Sequence, residues 1–247
     1  MNDLIGTAAR KRPTRSAGTS LWLGIIGVTL ATAGAFGSGQ GLWPFGIGLL
    51  MVVAGFLLAV IGALAGTFAV IRNSANSGLG RRIMVGLLLC GAVLVGVGPW
   101  IYRGFAYPPI HDVTTDLANP PEFSAIPPRK DNLAGVDSLD KWRALHKAAY
   151  SDIAPITLNM TPLAVISRAE KLAVARNWMI SSKAADRLEA TATESAFKFK
   201  DDIVIVATPA SDGKSTIINM RSVSRVGASD FGVNANRIRT FLAELQK

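Results

Sequence analysis

Polar and apolar positions divide the chain into two regimes. No charged residue occurs from Ser16 to Ile71, and a second charge-free run extends from Ile83 to Tyr102. A helix needs roughly 20 apolar residues to cross a bilayer, so the first run accommodates two spans and the second accommodates one. The spans are expected near 20–37, 44–71 and 83–102. Between the first two, GSGQGLWPFG (residues 37–46) has the Gly, Pro and Trp of a short interfacial turn. Gly62 and Gly66 provide a small-residue spacing that seats a neighbouring helix, most simply within the same bundle. The first span runs into a second instead of a small-residue exit to polar sequence, so it is read as a retained anchor and not a cleaved signal.

After Tyr102 the pattern changes. Residues 103–132 hold six prolines and almost no apolar periodicity, which predicts an extended strap ordered by lying along something else. A short helix is expected over 138–150, with Trp142 and Leu145 on one face. The strap and this helix fill 103–154, and a compact domain is expected over 155–247.

That domain reads element by element. PITLNM is a strand, Thr161-Pro162 caps and opens a helix reaching about Arg176, and WMISS and RLEATATES are two further strands. DIVIVATP is an apolar strand covered on both sides, Asp212-Gly213 is a hairpin signal, and KSTIINMRSVSRV returns antiparallel. Ile238, Phe241, Leu242 and Leu245 lie at i, i+3, i+4 and i+7 of a final amphipathic helix. The expected fold class is α+β: a three-helix transmembrane anchor, then an antiparallel sheet domain of order β-α-β-β-β-β-α.

Charge adds a direction. The formal net charge is +9, yet Arg10, Lys11, Arg12, Arg15, Arg72, Arg81 and Arg82 face only Asp3 in residues 1–102. These cations precede the first span or lie between the second and third. That asymmetry predicts a cytoplasmic tail (1–19) and places everything after Tyr102 on the far side. The basic balance reflects membrane topology, and no nucleic-acid partner is expected. No Asp, Glu, Lys, Arg or His falls within a span, which argues against a transporter and for an anchor or docking surface. Cys90 is the single cysteine, and His111 and His146 stand apart, so no disulfide, metal or cofactor is expected.

The strings IHDVTTDLANPPEF, RLEATATESAFKFKDDIVI and RSVSRVGASDFGVNANRIRTFL resemble the DUF1499 family in its longer bacterial form with three membrane spans. The resemblance covers nearly the whole chain. It implies the membrane-plus-domain layout and marks the last string as a family hallmark; together with the charge asymmetry, the expected setting is a bacterial inner membrane with a periplasmic C-terminal domain. It implies no particular activity.

The hallmark holds the candidate chemistry. Arg221 and Arg225 share one strand face roughly 13 Å apart by the rise per residue. Asp201, Asp202 and Glu189 lie on neighbouring strands. Two readings are open: a structural ion network of Asp201, Asp202, Glu189 and Arg221, which is favoured, or an anion site with the guanidiniums facing a phosphate or carboxylate. At the corner, Ser229, Asp230 and Asn234 are candidate caps, and Arg225 and Arg237 flank a helix start that can hold an anion. Capping is favoured, because an aspartate cap takes the same N–H donors. No catalytic residue is assigned: Ser222, Ser224 and Ser229 lack a nucleophile elbow, and both histidines precede the expected domain.

Function is expected to be non-enzymatic: binding or scaffolding in the cell envelope, with the bilayer and an envelope protein or lipid as partners. The alternatives are a lipid or small-ligand domain with a cavity between sheet and helix, and an envelope hydrolase.

Overall fold

The computed structural model describes residues 15–72, 80–127, 129–194 and 197–247. Of the N-terminal cations, Arg10, Lys11 and Arg12 lie outside the described residues, as does Asp3. The chain divides into two compact units, Met1–Trp100 and Ile101–Lys247.

The first unit holds helices α1 (Arg15–Gly39), α2 (Phe45–Arg72) and most of α3 (Gly80–Ala106). All three are long and apolar enough to cross a membrane. Small residues let the helices touch: a Cβ on Gly27 would lie 2.9 Å from the Gly55 carbonyl oxygen. Gly62 faces Cys90 and Leu23, and Gly66 faces Ser20 and Leu87, so this pair packs within the bundle.

The second unit is an antiparallel sheet with helices. Its elements are β1 (Asp112–Thr114), α4 (Leu139–Ala149), β2 (Ile156–Leu158), α5 (Pro162–Ala175) and β3 (Met179–Lys183), then β4 (Arg187–Glu194), β5 (Phe199–Pro209), β6 (Thr216–Ser224) and α6 (Val233–Leu245). From β2 onward the order is β-α-β-β-β-β-α. Thr161 caps α5 by accepting the Ala164 N–H at 3.3 Å, and Pro162 opens it. Between β5 and β6 the Asp212 carboxylate accepts the Lys214 and Ser215 N–H groups at 2.9 Å, while Gly213 takes φ 65.

The sheet runs β1-β6-β5-β4-β3, and β2 joins β1 on the outer edge of β6. One face packs on α5 and α6. Leu188, Ile203, Ile205, Ile218 and Met220 meet Ile166, Ile238, Phe241 and Leu245 in a single buried core. Trp178 stacks on Phe241 with centroids 5.0 Å apart.

The proline-rich segment is built into this unit. It contributes β1, and Ile110, Val113, Trp142, Tyr150 and Ile153 enter the same core. His111 and His146 are buried in it as well, each 1% exposed, although both precede residue 155. Beyond β1 the segment crosses the outer face of the sheet. Glu189 and Thr191 are therefore buried, although the alternation along β4 points them away from the core.

Candidate functional site

The hallmark residues fall on both faces of the sheet, because adjacent residues of a strand point in opposite directions. Asp202 pairs in register with Val223 and lies on the outer face. Asp201 pairs with Ser224 and lies on the helix face. Two separate polar clusters result.

On the outer face Arg221 grips Asp112 in a fork through one guanidinium edge, Nε to Oδ1 at 2.9 Å and Nη2 to Oδ2 at 2.6 Å. Its Nη1 donates to the Pro121 carbonyl at 3.1 Å. One side chain thus ties β6, β1 and the crossing segment together. Arg225 forms a second fork with Asp202, both bonds at 2.8 Å, and also donates to Thr191 Oγ1 at 3.2 Å. The partner of Arg221 is therefore Asp112, an acid from the segment expected as a strap, and not Asp201, Asp202 or Glu189.

Glu189 is held mainly by backbone donors, with Arg187 as its ion-pair partner. Its carboxylate accepts the Ser124 N–H at 2.7 Å, the Ser124 hydroxyl at 2.6 Å, and the Ala125 and Ile126 N–H groups at 2.9 and 3.0 Å. Arg187 stands 3.5 Å away. Burial pushes this carboxyl up, but the bonds from Ser124, Ile126 and Ala125 outweigh it and hold the pKa below the ordinary glutamate value. Further along, Arg129 donates to the carbonyls of Ser224 and Gly227 at 2.9 and 2.8 Å. The crossing segment is thus held over both β4 and the end of β6.

On the helix face, Arg237 reaches from α6 to Asp201 at 2.6 Å and to Glu194 at 3.1 Å. It also donates to the Ser222 hydroxyl at 2.8 Å and to the side-chain oxygen of Asn234. Asn234 accepts from Ser222 at 2.7 Å and donates to Ser224 Oγ and the His111 carbonyl, each at 2.9 Å. Ser222, Ser224, Asn234, Arg237 and Asp201 are all buried.

The corner is a cap. The Asp230 carboxylate accepts the Gly232 N–H at 2.9 Å and the Asn234 N–H at 2.6 Å. Burial raises its pKa against the opposing effect of those bonds. The helix starts at Val233, one residue before Asn234, so Asn234 is an inward-facing first-turn residue and not a second cap. Gly232 takes φ 76 beneath the Tyr107 ring, which leaves no room for a Cβ. Ser229 donates to the Pro108 carbonyl at 3.0 Å and accepts the Phe231 N–H at 3.2 Å.

The hydroxyls of Ser222, Ser224 and Ser229 thus meet an amide, a guanidinium, a carbonyl and a backbone N–H. The two imidazoles lie elsewhere. His146 Nε2 accepts the Thr114 N–H at 3.1 Å, and His111 Nδ1 is 3.4 Å from the Ala228 carbonyl. Burial lowers the pKa of both. Among the described residues no group of three or more His, Cys, Asp or Glu side chains is arranged to hold a metal ion.

Sequence reasoning missed Asp112, Arg129 and Thr191. Only Asp112 has a readable signal, an acid beside the β-branched run Val113-Thr114-Thr115 in IHDVTT. No curated protein and no solved structure matches the chain. The family described as "Protein of unknown function (DUF1499)" matches residues 112–245, from β1 to the last residue of α6. That match covers more than half of the 247 residues, and the chain belongs to the DUF1499 family.

Proposed function

We propose that this is a multi-pass protein of the bacterial inner membrane with a cytoplasmic N-terminus. Its C-terminal domain then stands in the periplasm and acts as a binding or scaffold module of the cell envelope, without a chemical step. One observation supports the non-enzymatic reading. Arg221, Arg225, Ser229, Asp230, Asn234 and Arg237 each bond to groups inside the fold. The hallmark on this reading is a lock that fixes α6 and the crossing segment to the sheet, and partners are met by the outer surface.

A second reading, a lipid or small-ligand domain, draws support from an open depression of about 680 Å³ beside α4. Leu117, Ala144, Tyr150 and Ile153 line it, with Arg143 and Lys147 among the lining residues.

The test is complementation of a deletion strain by Ser222→Ala, Ser224→Ala and Ser229→Ala in the full chain. The binding reading expects each variant to function in proportion to its folded amount in membranes. A serine variant that accumulates and melts like the parent but supports no function would favour the hydrolase reading instead.

A further inference from the structure

The sheet end at which the chain enters carries an aromatic and cationic tip. Residues 197–200 read Phe-Lys-Phe-Lys, the last two being the first residues of β5. The two phenyl rings stack with centroids 5.2 Å apart, 4° from parallel, and both are half-buried. Lys198 and Lys200 are exposed. Lys198 takes φ 51, a left-handed turn position that glycine or asparagine fills at lower cost. Backbone stability alone does not favour a lysine there.

Register fixes what else shares this end. The Arg225 N–H donates to the Lys200 carbonyl at 2.9 Å, and the next residue, Val226, is 42% exposed. Strand β1 starts at the same end, since Asp112 pairs with Val223 and Val223 with Asp202. Only residues 107–111 separate β1 from Ala106, the last residue of an apolar helix long enough to cross a membrane. A connection of that length reaches at most about 20 Å.

Partly exposed rings alternating with exposed ammonium groups are the composition of an interfacial membrane contact. The rings enter the headgroup boundary and the cations pair with lipid phosphates. We propose that Phe197, Lys198, Phe199 and Lys200, with Val226, form a peripheral contact with an anionic bilayer surface whose lipid phosphates are the ligand. The proposal rests on the membrane-anchored reading above.

The test uses the full chain with Cys90→Ala and a single Val226→Cys carrying an environment-sensitive dye. The protein is reconstituted in phosphatidylcholine vesicles with and without phosphatidylglycerol. A Ser211→Cys label, in the turn at the opposite end of the sheet, is the control. The expected result is a blue-shifted emission at position 226, quenched by lipid-borne quenchers and strongest with phosphatidylglycerol, while position 211 stays open to aqueous iodide. Lys198→Glu with Lys200→Glu should abolish the dependence on phosphatidylglycerol. Equal iodide access at both positions, or quenching at 226 indifferent to lipid charge and to both substitutions, would overturn the contact. Protection at 226 that follows protein density would identify a second copy instead and also overturn it. A chain that fails to float with the vesicles would remove the anchored reading itself, and the contact with it.

Discussion

Replacing Glu189 by Gln should loosen the segment that crosses the outer face of the sheet without removing the side chain's bulk. In the native protein one buried carboxylate takes three backbone N–H groups and a hydroxyl from Ser124, Ala125 and Ile126. Hydrogen bonds to a charged group each contribute about 1.5–3 kcal/mol. The four are not additive, because the segment can lift away as a unit and regain water. Glutamine keeps one acceptor oxygen and turns an NH₂ toward the other pair of donors. A net loss of about 3 kcal/mol follows, roughly a hundredfold in the local opening equilibrium. Hydrogen exchange of the full-length protein, corrected for intrinsic rates, reads this at the amides of 124–126, with the α6 amides as reference. In the parent, the lowered carboxyl pKa also sets a pH window. The contribution is complete above the ordinary glutamate value, about 4.3, and is lost as pH falls through the lower folded value. Glu189→Gln should lack that acid-dependent step. Unchanged protection at 124–126 in the variant, or parental protection that ignores pH from 6 down to 2, would refute the clamp.

Arg237 and Asp201 have only 5% and 4% of their side-chain surface exposed, so Arg237→Ala should cost about 3–5 kcal/mol by stranding the acid. Adding Asp201→Asn should restore part of that loss in a thermal melt; additive losses would show that the pair is not coupled. A fragment beginning at Ser138 lacks β1, Asp112 and the segment bound by Glu189, so it should lack the cooperative unfolding expected of residues 101–247, as circular dichroism would show. The proposed topology predicts an active C-terminal alkaline phosphatase fusion and a dark green fluorescent protein fusion, and the reverse pattern would overturn it.

Much of the fold is legible in the pattern of the chain, and the reasons are local. The two charge-free runs, the Thr161-Pro162 helix start, the Asp212-Gly213 turn and the Ile238–Leu245 stripe are each read without help from distant sequence. The crossing segment is not legible in this way. β1 is three residues long, too short for periodicity to register. The grip on Glu189 comes mostly from backbone N–H groups, which any residue but proline supplies. Polar alternation along RLEATATES predicts an outer face but not its cover, so the loop that Glu189 holds, beside its ion pair with Arg187, is not legible. Asp201 and Asp202 read as one acidic pair until period-two alternation sends them to opposite faces and to different arginines. The hallmark corner is more readable: Asp230 ahead of the last helix is legible as a cap, and the structure shows its carboxylate on the Gly232 and Asn234 N–H groups.

On the proposed reading the hallmark residues serve the fold and not a ligand, and Arg225 is the residue at which the two roles separate. Its side chain is 41% exposed, the most accessible of the four hallmark arginines Arg221, Arg225, Arg237 and Arg239, and therefore the one best placed to meet a ligand. Its fork holds Asp202, which is 10% exposed. Discounted for that exposure, Arg225→Ala should cost about 1–2 kcal/mol, less than a fully buried pair. The measurement is the melting temperature of purified Arg225→Ala protein beside its complementation of a deletion strain. The expected result is a lowered melting temperature, partly restored by Asp202→Asn, and cellular function that falls only with the folded amount. A variant with parental stability and abundance but no function would contradict it and make the corner a binding site.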